Sequence, residues 1–350
     1  MSNLLNIGGR TVGMGQPCFV IAEAGSNHNR DLDTARALID AAVQAGADAV
    51  KFQTFSADSM AARTDHPIAS IADEFSKFGS TLHELYRKVE LPREWQDILA
   101  RYASAKGIIF LSTPFDKGAA DELDALGVPC FKIASFELVD LPLLRHVARK
   151  GKPVIISTGM ATIADIEDAV GAIESQGNRQ IGILHCGIEY PPRWEDVHLR
   201  AMETIGLAFP YPVGYSDHTL GITIPIAVAA RGGSIIEKHF TLDKTMDGPD
   251  HRFALDPSEL KQMVEGIRAV EKALGGSRKQ PVEAELKYLQ RGRRSLFAAI
   301  DILPGTLIQE EMISVLRPGV GLAPKHLEVI VGRAAKRHIR AHAPITWDDV

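Results

Sequence analysis

Short apolar runs recur along the first three-quarters of the chain, and between them apolar residues return at intervals of three and four. The runs cover 19–23, 49–53, 108–112, 130–133, 154–157, 181–185, 213–216 and 234–238. Near-continuous apolar character of this kind suits strands buried on both faces of a parallel sheet. The intervening pattern predicts helices, among them 32–45, a second from near Pro92 to Lys106, 163–175 and 257–274. The third has the plainest signals: Thr162 as N-cap with Asp165 three residues on, Ile163, Ile166, Val170 and Ile173 on one face, and Gly177-Asn178 as a stop. Asp256 is placed to cap the last. Eight β-then-α units in roughly 260 residues predict an α/β fold of the (β/α)8 TIM-barrel type. A doubly wound open sheet is the competing architecture. It normally carries a Gly-rich phosphate turn after an early strand, and none is present.

Two stretches break the rhythm. Residues 56–81 are long and mixed, and they follow the second strand, which predicts a lid or rim on the catalytic face. Gly275-Gly276-Ser277-Arg278-Lys279-Gln280-Pro281 reads as a linker. The expected organisation is a barrel over 1–275, a linker over 276–285 and a small second domain over 286–350.

Composition adds exclusions. The 350 residues carry a net charge of −5, with no basic block or aromatic-basic stripe, so nucleic acid is not an expected partner. The start lacks a charged segment followed by a long apolar run, and no span is long enough for a membrane. Cys18, Cys130 and Cys186 sit far apart in apolar contexts that fit no zinc spacing. They read as reduced core thiols of a cytoplasmic protein.

The ends of the strands change the picture more. In parallel α/β folds chemistry is placed at the carboxyl ends of strands. There the sequence delivers Glu23; Lys51 and Gln53; Thr113; Lys132, with Ser135 and Glu137 just beyond; Ser157; His185; Ser216 and His218; and Lys238 and His239. A buried ammonium is costly unless it meets an anion. Glu23, Glu137 or Glu237 can serve internally, which is the structural reading of each lysine taken singly. The hydroxyls of Thr113, Ser135, Ser157 and Ser216 add donors, and together they suggest a cradle for a phosphate or phosphate-carboxylate ligand. His218 and His239 suit a divalent metal beside it; the structural reading of a lone histidine is a hydrogen-bonded core residue. Glu23, Glu137 or Asp250 are candidates for proton transfer.

Several runs together resemble the sialic acid (N-acetylneuraminate) synthase family, which includes legionaminate and pseudaminate synthases. They are Ile21 to Asn29, Ala47 to Thr54, Leu111 to Asp116, Phe131-Lys132-Ile133-Ala134-Ser135, Ser157-Thr158-Gly159-Met160-Ala161, Gly214-Tyr215-Ser216-Asp217-His218-Thr219 and Ile236-Glu237-Lys238-His239-Phe240. The resemblance extends to the tail, which looks like the antifreeze-like (SAF) domain of these synthases. It implies condensation of phosphoenolpyruvate with N-acetylmannosamine or a related N-acylated aldose, releasing phosphate. It implies Lys51, Thr113, Lys132, Ser135, Ser157 and Ser216 around phosphoenolpyruvate, and His218 and His239 on a divalent ion, Mn2+ before Mg2+ or Co2+. Glu23, Glu137 and Asp250 would be catalytic, and Gln53, Tyr190, Asp250 and Arg317 would contact the sugar. Arg317 would be lent by the tail of the other subunit of a domain-swapped homodimer. One departure stands out: where the family often has Thr or Ser and then a polar residue after the strand-six cysteine, this chain has Gly187-Ile188. A sister synthase acting on a 6-deoxy-diacetamido hexose is the alternative within the family. A divalent-metal sugar aldolase and a non-catalytic binding protein are the alternatives outside it.

Overall fold

The structure, a computed structural model, describes residues 4–64, 66–71 and 73–350, the side chains of 73–75 excepted. The chain divides into two compact units, 1–275 and 276–350.

The first unit opens with a hairpin, β1 (Leu5–Ile7) and β2 (Arg10–Val12). Eight parallel strands follow: β3 (Phe19–Gly25), β4 (Ala49–Thr54), β5 (Ile109–Pro114), β6 (Phe131–Ile133), β7 (Val154–Ser157), β8 (Ile181–Cys186), β9 (Val213–Asp217) and β10 (Ile235–His239). They hydrogen-bond in the order β5-β4-β3-β10-β9-β8-β7-β6. β5 and β6 lie next to each other and nearly close the barrel. Each strand sits within a residue or two of its predicted place.

Period-two alternation explains what each strand buries. Val20, Ala22, Val50, Phe52, Phe131, Ile133, Val154, Ile156, Ile181, Ile183 and Ile236 pack outward against the helices. The residues between them, Phe19, Ile21, Ala49, Leu111, Cys130, Ile155, Leu184 and Ile235, form a separate inner cluster, which Leu5, Ile7 and Val12 of the hairpin join. The lower barrel is therefore a packed floor, and the hairpin is part of it. Gly214 is required there, because a Cβ would fall 2.0 Å from the Ile235 carbonyl oxygen.

The helices follow their sequence signals. Leu32–Ala45 starts at Asp31, whose carboxylate accepts from the Thr34 amide, and stops at Gly46 with φ 79°. Ile163–Glu174 carries a reciprocal cap between Thr162 and Asp165, and Pro257–Leu274 one between Asp256 and Glu259. Trp95–Ala105 begins a few residues after Pro92.

The 56–81 stretch, of which Asp65 and Ala72 lie outside the described residues, is built from short turns. These are the helix Ala57–Met60 and the short 3-10 helices Pro67–Ala69 and Asp73–Phe78. Lys77 pairs with Asp247 in the loop after β10, so the segment stands at the carboxyl ends of the strands.

The second unit has its own core, including Leu296, Ala298, Ile302, Ile308, Ile330 and Ile345. Its hairpin-like pair is β11 (Ser295–Ala298) with β12 (Ile313–Leu316). The helix Glu283–Gly292 runs across the expected boundary at 285/286, so the linker proper is shorter than the sequence suggested. Among the described residues no helix is long and apolar enough to cross a membrane.

Candidate active site

Above the apolar floor the inner face of the barrel turns polar. The same alternation that points Phe19 and Ile21 inward points Glu23 inward, and it does so for Lys51 and Gln53 after Ala49. The side chains meet in one buried network. Lys51 Nζ lies 2.7 Å from Glu23 Oε2 and donates to Thr113 Oγ1 at 3.0 Å. Gln53 donates to Glu23 Oε1 at 2.8 Å. Glu237 Oε1 stands 3.6 Å from Lys51 Nζ, 3.4 Å from Lys132 Nζ and 3.3 Å from the Ser216 hydroxyl, which donates to it.

Ser135 and Ser157 edge this network. Ser135 Oγ accepts the Gly159 amide at 2.9 Å. Ser157 Oγ is buried with no hydrogen-bond partner among the described residues. A Cβ on Gly159 would fall 2.4 Å from Ile188, so the unusual isoleucine lies against the end of β7. Cys186 sits at the same level, 3.9 Å from His218 Nδ1. Burial pushes its thiol pKa up, which leaves it unsuited to nucleophilic work.

The two histidines are neighbours, with ring centroids 5.2 Å apart. His218 Nδ1 is fixed by the Gly187 carbonyl at 2.6 Å, which leaves Nε2 as its other ring nitrogen. His239 Nδ1 is buried without a hydrogen-bond partner, and Asp250 Oδ2 is 3.6 Å away. Burial holds His218 down to about 4 and His239 well below the usual imidazole range, so both rings are neutral, the ligating form. No group of three His, Cys, Asp or Glu side chains converges on one point among the described residues. Two neighbouring neutral imidazoles are the donor type that suits a divalent transition metal. Tyr190 packs against His218 with the rings tilted by 44° and centroids 4.2 Å apart, and its ring lies 5.4 Å from Phe253. Asp250 also accepts from Ser26 at 3.3 Å.

Three carboxyls are set apart by burial. Desolvation raises Glu23 to about 7, with Glu237 adding to the rise and Lys51 opposing it. Desolvation also raises Glu137 to about 7 and Asp250 to about 6. Glu137 Oε2 has no hydrogen-bond partner among the described residues, and the carboxyl feels Lys132 through space.

Fourteen residues were expected at the site, and the structure does not treat them alike. Glu23, Lys51, Gln53, Thr113, Lys132 and Ser216 join one network; His218, His239, Tyr190 and Asp250 gather beside it; Ser135, Ser157 and Glu137 border it. Arg317 lies in the second unit, exposed, where its Nε donates to the Gly292 carbonyl at 2.7 Å. Lys238 does not belong to the site. It faces the helix layer, 2.5 Å from Asp217 Oδ2, and donates to the Thr219 carbonyl as well. His185 likewise bonds the Val197 carbonyl at 2.9 Å. The residue that sequence reasoning left outside is Glu237, and its position two residues before His239 on the inward face was the available signal.

The fold is thus a nearly closed parallel barrel of the (β/α)8 class, with buried lysines, carboxyls and an imidazole pair gathered at its strand ends. The chain belongs to the NeuB family, whose model matches residues 38–279, and the SAF domain model matches residues 293–350. It is 40% identical to the N,N'-diacetyllegionaminic acid synthase of Legionella pneumophila, over 97% of this chain and 96% of that one. Identity to the pseudaminic acid synthase of Helicobacter pylori is 37%, over 96% and 98%. Among solved structures, the N-acetylneuraminic acid synthetase of Leptospira borgpetersenii, in complex with citrate, superposes with a TM-score of 0.73. That match has 33% identity and covers 82% of this chain and 95% of that one. By family, the chain is a nonulosonic acid synthase.

Proposed function

We propose that the chain joins C3 of phosphoenolpyruvate to the aldehyde carbon of an N-acylated amino sugar, N-acetylmannosamine in the first reading, with addition of water and release of phosphate. The product is then N-acetylneuraminate. The observation that carries this is the convergence of Lys51 and Lys132 with the Thr113 and Ser216 hydroxyls beside two neutral imidazoles.

Lys51, Lys132, Thr113, Ser135, Ser157 and Ser216 bind the donor's phosphate and carboxylate, with charge-assisted bonds from the two ammoniums. Fixing the donor against the sugar supplies the entropic part of the rate. Gln53, Tyr190 and Asp250 orient the sugar, and Arg317 contacts it from the partner subunit of a homodimer. Attack by C3 leaves positive charge at C2, where water adds. Glu23, Glu137 and Asp250 are held near neutrality by burial, so each can take a proton at the pH of the cell and return it. A divalent ion of the Mn2+ type, held by His218 and His239, would supply Lewis acidity for the aldehyde oxygen.

A second reading replaces the acceptor with a 6-deoxy-diacetamido hexose to give legionaminate or pseudaminate. The 40% identity to the legionaminic acid synthase over nearly the whole chain favours it. Phosphate release from phosphoenolpyruvate, assayed with Mn2+ and each sugar in turn, tests both. Turnover with one sugar and not the other selects between them. No phosphate with any N-acylated sugar overturns both.

A further inference from the structure

Lys51 and Lys132 enter the barrel from β4 and β6, and both are buried. Their carboxylate partners differ. Lys51 has Glu23 at 2.7 Å as well as Glu237. For Lys132 the carboxylate partner within ion-pair distance, among the described residues, is Glu237. A single oxygen, Glu237 Oε1, faces both ammoniums and also accepts from Ser216. The two ammoniums therefore stand no more than about 7 Å apart, where their repulsion in a water-poor interior far exceeds its value in water.

The distances matter. At 3.4 and 3.6 Å, Glu237 sits beyond the range of a strong charge-assisted hydrogen bond to either lysine. It balances Lys132 through its field while leaving the ammonium hydrogens for another acceptor. Its second oxygen, Oε2, is buried and has no hydrogen-bond partner among the described residues, and Ser157 Oγ is in the same condition. The unspent Ser157 hydroxyl is a donor of the kind a site keeps for an anionic ligand, whereas the unpaired Glu237 oxygen only accepts and offers such a ligand no bond.

Resting on the donor-binding reading above, we propose that Glu237 is a positioning residue for the anionic donor: it gathers Lys51, Lys132 and Ser216 into one cradle and holds the two ammoniums together until the donor's oxygens arrive. Charge alone points the other way, since removing an anion from an anion site tightens binding. The two accounts predict opposite signs.

The experiment is Glu237→Gln, which keeps the shape and removes the charge. Phosphoenolpyruvate binding is measured by calorimetry on the full chain with Mn2+, and Mn2+ binding by electron paramagnetic resonance, because Glu237 is close to His239. Positioning predicts phosphoenolpyruvate binding weakened by about ten-fold or more, as for loss of one partner in a buried charge cluster. The sugar KM and the Mn2+ affinity should stay within about two-fold, since Glu237 touches neither in this account. Glu237→Asp, which keeps the charge on a shorter arm, should recover part of the loss. Binding as tight as the native chain's or tighter overturns the proposal, as does a loss that tracks loss of Mn2+. A native chain that binds no phosphoenolpyruvate overturns the underlying reading as well, and that result is distinct because the unsubstituted protein is then silent too.

Discussion

Glu137 shows how far burial can shift a carboxyl. Its carboxyl is raised from the ordinary range to about 7, chiefly by desolvation, with one oxygen unpaired. Between pH 4.5 and 7 the folded protein then holds a proton here that the unfolded chain has released. Stability contributed by this group is therefore present at low pH and falls as pH rises through that window. Glu137→Gln should flatten the loss, by at most about 3 kcal/mol, when urea midpoints at pH 5 and pH 8 are compared with those of the native chain. An unchanged difference would mean that the carboxyl is already ionised at pH 5. Lys238 makes the contrasting case. It is buried against Asp217 on the helix side of β10. Lys238→Met should cost about 3–5 kcal/mol of stability by stranding that carboxylate, visible as a lowered urea midpoint, while phosphoenolpyruvate affinity is unchanged. The three strand lysines look equivalent in composition. Parity separates them: Lys51 follows inward Ala49 by two, Lys132 follows inward Cys130 by two, and Lys238 follows outward Ile236 by two. Which of these side chains face into the barrel was thus largely legible in the order of residues. Glu237 was passed over because it can be read as an internal counter-ion, and its bridging of two lysines depends on barrel closure, which no local pattern encodes.

At the scale of elements, strands and capped helices were the readable part, because each rests on a local signal: alternate burial, an Asp or Thr cap, a Gly stop. The hairpin of β1 and β2 gave no such signal. Its strands are three residues long, and what stabilises them is the barrel floor they complete, a contact made with residues far along the chain. The hairpin should therefore matter more than its length suggests. Ile7 is fully buried in that floor. Ile7→Ala should destabilise the barrel by about 2–5 kcal/mol through lost burial and an unfilled cavity, read as a lower midpoint in urea monitored by tryptophan fluorescence. An exposed apolar residue of the same type, Ile68, should tolerate the same change with almost no effect. If the two substitutions cost alike, the hairpin does not close the floor.

The two units of the whole molecule carry the remaining question, because the side chains proposed for donor and metal lie in the first and Arg317 in the second. The proposal that Arg317 serves a neighbouring subunit gives a test that does not depend on which sugar is used. Lys51→Ala disables a barrel and spares its tail, and Arg317→Ala does the reverse. Each chain alone should be inactive or nearly so. When the two are co-expressed in equal amounts, half of the dimers pair one variant with the other. In such a pair, exchange between subunits puts both defects in one site and leaves the other site intact, so about a quarter of native activity should return. Action within a single chain predicts no recovery, because every barrel then lacks either its lysine or its arginine. The mixture is read by phosphate release, and the mixed dimer by the same assay after isolation through a different tag on each chain. Recovery in the tagged mixed dimer requires that the functional unit is two chains.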